Sequence, residues 1–124
     1  MGGYLVLAWP PGRPSDEARV LRQALLAQGW RVVHDDFGLL VLVRGSRPPP
    51  VQVLPGRRGV VVGEVHDTEA TRAGHPEPFD VRLLSRLDAL DAATVLSRCA
   101  WGRYVAVFTS RDAPPAVFRD PMGG

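Results

Sequence analysis

Short apolar runs bounded by glycine and proline constrain the fold of this chain most strongly. Runs rich in valine and leucine lie at Gly3–Trp9, Leu39–Arg44, Gly59–Val65 and Arg103–Thr109. Each is short and flanked by turn-forming residues, so each predicts a β-strand. The predicted strands outnumber the predicted helices, which favours a fold built around sheet.

Helical spacing of apolar residues appears in two segments. The apolar residues that repeat at helical spacing in the first segment are Val20, Leu21, Ala24, Leu25 and Ala27. With Ser15 as a candidate N-cap, they predict a helix over about 16–28 that packs one face on a sheet. Asp91 is the candidate N-cap of a second helix, predicted over about 92–100.

The strands are predicted to pair locally. The turn sequence Asp35-Asp36-Phe37-Gly38 predicts a hairpin between strands at Trp30–His34 and Leu39–Arg44. Val51–Leu54 is predicted to be a short edge strand, and Ala116–Arg119 the hairpin partner of the last long strand. The segment 68–78 is predicted to be a loop, and 81–90 is left open between helix and loop. Local antiparallel pairing with helices between groups of strands predicts an α+β fold rather than a doubly wound parallel sheet.

Composition and length exclude several classes of protein. The 124 residues are enough for one domain, predicted to span 1–124, and no apolar run approaches the ~20 residues of a membrane span. Every basic residue is arginine, and these arginines are scattered, so neither a nucleic-acid nor a membrane partner is expected. The single cysteine, Cys99, excludes an internal disulfide, fits a reducing cytoplasm and is predicted to be a small buried apolar residue.

Other chemistries find little support in the spacing of polar residues. A metal site could draw on His34, Asp35 and Asp36, or on His66, Asp67 and His75, but these spacings match no zinc pattern. A Cys99–His66 dyad would need the fold to bring two distant residues together. The chain has no nucleophile elbow and no glycine-rich phosphate loop after a strand.

Two segments together carry a resemblance to a known family. The first begins at Trp101 and reads Trp-Gly-Arg-Tyr-Val-Ala-Val-Phe, and the second begins at Val117 and reads Val-Phe-Arg-Asp-Pro-Met-Gly. An earlier segment supports them; it begins at Val61 and reads Val-Val-Gly-Glu-Val-His-Asp. Their order resembles the N-terminal, class II glutamine-amidotransferase-like domain of the asparagine synthetase family, and the look is closest to the macrocyclases of lasso-peptide biosynthesis. The matching positions, expected to be structural or vestigial, are Gly63, Glu64, Gly102, Arg119, Asp120 and Gly123.

The resemblance implies an N-terminal-nucleophile (Ntn) hydrolase-like fold, an αββα sandwich with antiparallel sheets, here truncated at its C-terminal end. It also implies that the glutaminase is lost and that this chain has no catalytic residue. Active members carry a cysteine directly after the initiator methionine, where this sequence has Gly2, and an asparagine where it has Val62. Asp80 is only a loose counterpart of a further family aspartate.

The expected function is therefore that of a non-catalytic domain in a cytoplasmic, ATP-dependent amide ligase that closes an isopeptide ring. No cofactor is expected in this chain, whereas ATP and Mg are expected in the missing synthetase domain. That domain, in cis, and a precursor peptide are the implied partners. Two alternatives stay open: a stand-alone peptide- or protein-binding module, and a fragment of a glutamine-hydrolysing asparagine synthase.

Overall fold

The structure is a computed structural model that describes residues 3–9, 16–36, 38–54, 59–109 and 115–119. It is an α+β protein whose sheets are antiparallel, as predicted. The chain divides into two compact units, Met1–Pro49 with Thr109–Pro115 and Pro50–Phe108 with Ala116–Gly124. The single domain over 1–124 stays a prediction.

The first unit contains a three-stranded antiparallel sheet and one helix. Its elements are β1 (Gly3–Ala8), α1 (Asp16–Ala27), β2 (Arg31–Asp36) and β3 (Leu39–Arg44), and the strand order is β1-β3-β2. These bounds confirm the predicted first strand, first helix and hairpin. The hairpin strand β2 continues through Asp35 and Asp36, which were predicted to lie in the turn. Both pair with β3, so that part of the turn prediction is wrong.

The central strand β3 forms the core of the first unit. Residues Leu39 to Val43 are all buried, and Leu40 and Leu42 pack with Leu25 of α1. Burying a leucine side chain stabilises the folded state by roughly 1.5–3 kcal/mol. Leu25 is the buried residue of α1, whereas Val20 and Leu21, which the predicted repeat places on the packed face, are exposed.

The second unit is built on a four-stranded antiparallel sheet of order β4-β5-β8-β9. Its strands are β4 (Val51–Val53), β5 (Gly59–Gly63), β8 (Tyr104–Phe108) and β9 (Ala116–Arg119). The short strands β6 (His66–Asp67) and β7 (Ala100–Trp101) form a separate two-stranded ladder. The edge position of β4 and the β8–β9 hairpin are confirmed.

The core of the second unit lies on one face of this sheet. Val61, Ala106 and Phe108 project into a cluster with Leu84 and Leu96. Leu84 belongs to a 3-10 helix (Val81–Leu84), and Leu96 belongs to α3 (Ala89–Cys99). Valines of the other face are buried too, namely Val60, Val62, Val105 and Val107. Both faces of the central strands are therefore withdrawn from solvent, which explains their continuous apolar sequences.

Helix boundaries in the second unit differ from the predictions. A short helix, α2 (Thr68–Arg72), occupies a segment predicted to be a loop, and the Asp67 carboxylate caps it by accepting from Ala70 N at 2.9 Å. The helix α3 begins one turn earlier than predicted because Asp88, not Asp91, is its N-cap. The backbone N–H of Asp91 donates to the Asp88 carboxylate at 2.8 Å.

The segment predicted as helix or loop contains the 3-10 helix Val81–Leu84 and a turn. Cys99 at the end of α3 is exposed, so its predicted burial is wrong. The predicted cap Ser15 and the turn at Pro55-Gly56 lie outside the described residues. Within the described part of the chain, no helix has the length and apolar character needed to cross a membrane.

Candidate functional site

Two glycines of the predicted motif lie at one end of the four-stranded sheet of the second unit, each packed against the main chain of the other segment. Gly63 ends β5 with φ at +113°, and Gly102 precedes β8 with φ at +142°. A side chain at Gly63 would overlap the carbonyl oxygen of Arg103 and approach Tyr104 Cα to 2.8 Å. A side chain at Gly102 would overlap the carbonyl oxygen of Glu64. Both positions therefore require glycine for two reasons: the positive φ angle and the lack of space for a side chain.

Hydrogen bonds of the main chain fix this contact. The N–H of Glu64 donates to the carbonyl oxygen of Arg103 at 2.9 Å, and the N–H of Gly63 donates to the carbonyl oxygen of Pro50 at 2.8 Å. We call the contact of Gly63 and Glu64 with Gly102 and Arg103 the backbone junction. It brings together three of the predicted motif positions, Gly63, Glu64 and Gly102.

An aromatic and polar cluster lies beside the backbone junction on the β6–β7 ladder. The rings of His66 and Trp101 face each other across the ladder, with centroids 4.6 Å apart. The indole Nε1 of Trp101 donates to Thr71 Oγ1 at 3.0 Å. The Thr71 hydroxyl donates in turn to the carbonyl oxygen of Asp67 at 2.8 Å. These bonds hold a tryptophan that is 43% exposed in a defined orientation.

The carboxylate of Glu64 adds little to this cluster. Glu64 Oε2 lies 3.9 Å from His66 Nε2, but the Glu64 side chain is 73% exposed. Solvent-exposed pairs of this kind contribute roughly 0–1 kcal/mol. The Thr71 hydroxyl already donates one hydrogen bond and accepts another, so it serves the local structure.

Arg119 lies apart from the backbone junction. It is the last residue of β9, opposite Val105 of β8, and its side chain is exposed. The predicted positions Asp120 and Gly123 lie outside the described residues.

Val62 occupies the position at which the resemblance expects an asparagine. It is fully buried and is paired with Val51 on one side and Val105 on the other. Its side chain offers neither a donor nor an acceptor to a glutamine amide. The immediate setting of this position is therefore packed sheet.

Asp80, the loose candidate for a further family aspartate, serves a local role. Its carboxylate accepts from the backbone N–H of Arg82 at 3.1 Å and from Arg82 Nε at 2.9 Å, which caps the 3-10 helix. The hydrogen bonds from Arg82 lower the pKa of the Asp80 carboxyl below its ordinary value.

Residues considered for a metal site are spread among other interactions. Asp35 pairs with Arg22, Asp67 caps α2, and His75 is exposed. Among the residues that the structure describes, no group of three or more histidine, cysteine, aspartate or glutamate side chains is placed to hold a metal ion.

Sequence reasoning missed the cluster of His66, Thr71 and Trp101. Its members come from the β6–α2 segment and from β7, and their contact depends on a ladder of two residue pairs. In the sequence, polar residues follow the Gly59–Val65 run, and a Trp-Gly pair precedes the next long strand, but nothing there indicates that the two segments meet.

In comparisons with known proteins, no family model, no curated protein and no solved structure matches this chain.

Proposed function

We propose that this chain is a non-catalytic, glutamine-amidotransferase-like domain of an ATP-dependent, asparagine-synthetase-type amide ligase. The backbone junction is the observation that carries the proposal. Gly63 and Glu64 belong to one resembling segment and Gly102 to another, and these distant segments pack backbone against backbone. A shared family scaffold requires such contacts between its motif segments, whereas independent turns do not.

The layered αββα fold that the resemblance implies is part of the proposal, and each unit has a helix-covered sheet of the kind that this fold uses. In the first unit, one face of β3 packs on α1, and the opposite face of that strand is also buried. In the second unit, one face of the sheet packs on α3 and the 3-10 helix, and the valines of the other face are buried. Each unit therefore has a helical layer on one side of its sheet.

The setting of Val62 supports the loss of glutaminase chemistry. A buried valine between two other valines cannot bind the amide of glutamine. In the proposed ligase, a carboxylate of a precursor peptide would attack the α-phosphorus of ATP, and pyrophosphate would leave to give the acyl adenylate. The N-terminal amine of the same peptide attacks the acyl carbon, AMP leaves, and an isopeptide ring closes. The amine comes from the peptide itself, so this reaction needs no ammonia from glutamine.

The proposed role within the ligase is support. The synthetase domain in cis would hold ATP and Mg, and the precursor peptide would bind to the assembled protein in the cytoplasm. The residues of the backbone junction would fix the strand ends of the supporting domain.

An ammonia-release assay tests the catalytic part of this proposal. The purified chain is incubated with L-glutamine, and a glutamine-dependent asparagine synthetase serves as the positive control. We expect no ammonia above the enzyme-free blank. Release of ammonia in proportion to the concentration of the chain would overturn the proposal and favour a glutamine-hydrolysing synthase fragment.

The gene on the 3′ side tests the assignment to a ligase. A continuous reading frame that encodes a Ser-Gly-Gly-x-Asp-Ser loop, the ATP-binding loop of the synthetase domain, is the expected result. A gene in which no such loop follows would favour the stand-alone peptide- or protein-binding module.

A further inference from the structure

A pocket of about 330 Å³ lies within the first unit, between the first turns of α1 and the sheet. Three elements of the sheet side supply Trp9, which follows β1, Asp35 of β2 and Leu40 of β3. The helix supplies Ala18, Arg19 and Arg22, together with Asp16 of its first turn. Asp35 and Leu40 lie opposite each other in the hairpin register, so the hairpin fixes their spacing.

The interior of the pocket is apolar. Leu40 lies at the base of the pocket, 1% exposed and part of the core cluster of this unit, and the half-buried Trp9 and Ala18 supply the accessible apolar surface. Ligand pockets in proteins typically have volumes of about 300–1,000 Å³, so this pocket is at the small end of that range. It has room for one side chain and the groups next to it, and an apolar side chain gains most from such surroundings.

Among the lining residues that the structure describes, the charges at the rim of the pocket balance: two arginines and two aspartates. The guanidinium of Arg22 pairs with the carboxylate of Asp35, and their side chains are 41% and 36% exposed. Asp16 and Arg19 form a second, more exposed pair at 3.8 Å. A guanidinium has five N–H donors and a carboxylate has about four acceptor sites, so the Arg22–Asp35 pair retains both donors and acceptors.

This balance selects the class of ligand. A rim whose charges neutralise each other gives no net attraction to a free anion or cation. It does present a donor and an acceptor side by side, which complements the C=O acceptor and N–H donor of a peptide bond. We propose that this pocket binds one bulky apolar side chain of a peptide together with the adjacent peptide bond. The proposal rests on the first unit alone and does not depend on the ligase assignment.

The test is an NMR titration of the full, ¹⁵N-labelled chain with N-acetyl-phenylalanine methylamide. We expect saturable shifts of the Ala18 and Leu40 amides and of the Trp9 indole, with a Kd on the order of 1 mM for so small a probe. N-acetyl-alanine methylamide lacks the bulky side chain, so its binding should be weaker by about tenfold.

Two variants and one matched control sharpen the test. Ala18→Leu fills the pocket from the helix while keeping a good helix former, and Arg22→Met removes the donors of the rim. Each should weaken binding of the phenylalanine probe by about tenfold. Arg31→Met changes an exposed arginine of β2 outside the pocket lining and should leave binding unchanged. If Arg22→Met does not fold, Ala18→Leu still decides the outcome.

Three results would overturn the proposal. One is the absence of saturable shifts at the pocket in the unmodified chain. Another is equal binding of the phenylalanine probe by Ala18→Leu and the unmodified chain. The third is tighter binding of N-acetyl-phenylalanine with a free carboxylate than of its methylamide, because that preference would indicate an anion site.

Discussion

Replacing Gly63 with alanine perturbs the backbone junction directly. The added methyl group would overlap the carbonyl oxygen of Arg103, which accepts the hydrogen bond from Glu64 N–H. The residue also holds φ at +113°, an angle that alanine disfavours. The substitution therefore introduces conformational strain and forces β5 away from the start of β8.

The expected loss of stability can be estimated from these two effects. A non-glycine residue held in a sparsely populated region of φ and ψ costs about 1–3 kcal/mol. Loss of the hydrogen bond between Glu64 and Arg103 removes about 1 kcal/mol more. We expect Gly63→Ala to lower the free energy of unfolding by about 2–4 kcal/mol.

Gly74→Ala is the matched control within the same unit. Gly74 also has a positive φ, +83°, but a Cβ there meets no atom within 4 Å. Its substitution therefore costs only the conformational preference, about 1–2 kcal/mol. Urea unfolding followed by circular dichroism measures both variants, and hydrogen exchange of the Glu64 amide reports the junction itself.

Gly63→Ala should lower the free energy of unfolding more than Gly74→Ala does. If Gly63→Ala is no more destabilising than Gly74→Ala, close packing at the junction adds nothing to the cost of the angle. Unchanged protection of the Glu64 amide in Gly63→Ala would likewise show that the junction persists with a side chain present.

Three further predictions concern the second unit. Leu96→Ala should lower the free energy of unfolding by about 2–5 kcal/mol in urea titrations, because Leu96 is fully buried in the core. Asp88→Ala removes an N-cap, so it should lower the free energy of unfolding by about 1 kcal/mol and the melting temperature with it. Asp91→Ala should have a smaller effect on both, and equal effects would contradict the assignment of the cap. Arg82→Gln should raise the pKa of Asp80, because Arg82 holds that pKa below its ordinary value. NMR of the Asp80 carboxyl carbon across a pH titration measures this change. The depressed pKa means that the contribution of this pair is present at neutral pH and is lost as the pH falls through the folded-state pKa.

Elements that depend on local sequence were predicted closely. The strands Leu39–Arg44 and Ala116–Arg119 have the predicted bounds, and α1 begins at the predicted residue. In each case an apolar run or stripe ends at turn-forming residues, so the pattern and the punctuation agree.

Elements whose boundaries depend on competing caps were predicted less well. Asp88 and Asp91 precede the same apolar stripe by different distances, and either could accept a hydrogen bond from the first turn. The helix α2 has only five residues, too few for a periodic pattern to emerge, and its cap Asp67 also pairs in β6. Cys99 stands at helical spacing from the buried Ala92 and Leu96, which predicts burial, but it is the last residue of α3 and is exposed at the end of the helix.

The backbone junction was predicted only as a set of motif positions. The packing of Gly63 against Arg103 and of Gly102 against Glu64 accompanies the pairing of β5 with β8, which the sequence alone does not specify. The cluster of His66, Thr71 and Trp101 depends on the same pairing, because it brings the segments that form the β6–β7 ladder together. Contacts between segments far apart in the chain carry no local pattern, so they appear only in the folded protein.

Val62 links packing to the proposed loss of activity. An asparagine at this position would place a polar amide between Val51 and Val105, where the replaced side chain is fully buried. Burying such a group without hydrogen-bond partners costs roughly 1–3 kcal/mol in proteins. Introducing an asparagine here by one substitution would therefore weaken the four-stranded sheet of the second unit. A domain that keeps the glycines of the backbone junction while its amide-binding position serves the core fits the proposed supporting role.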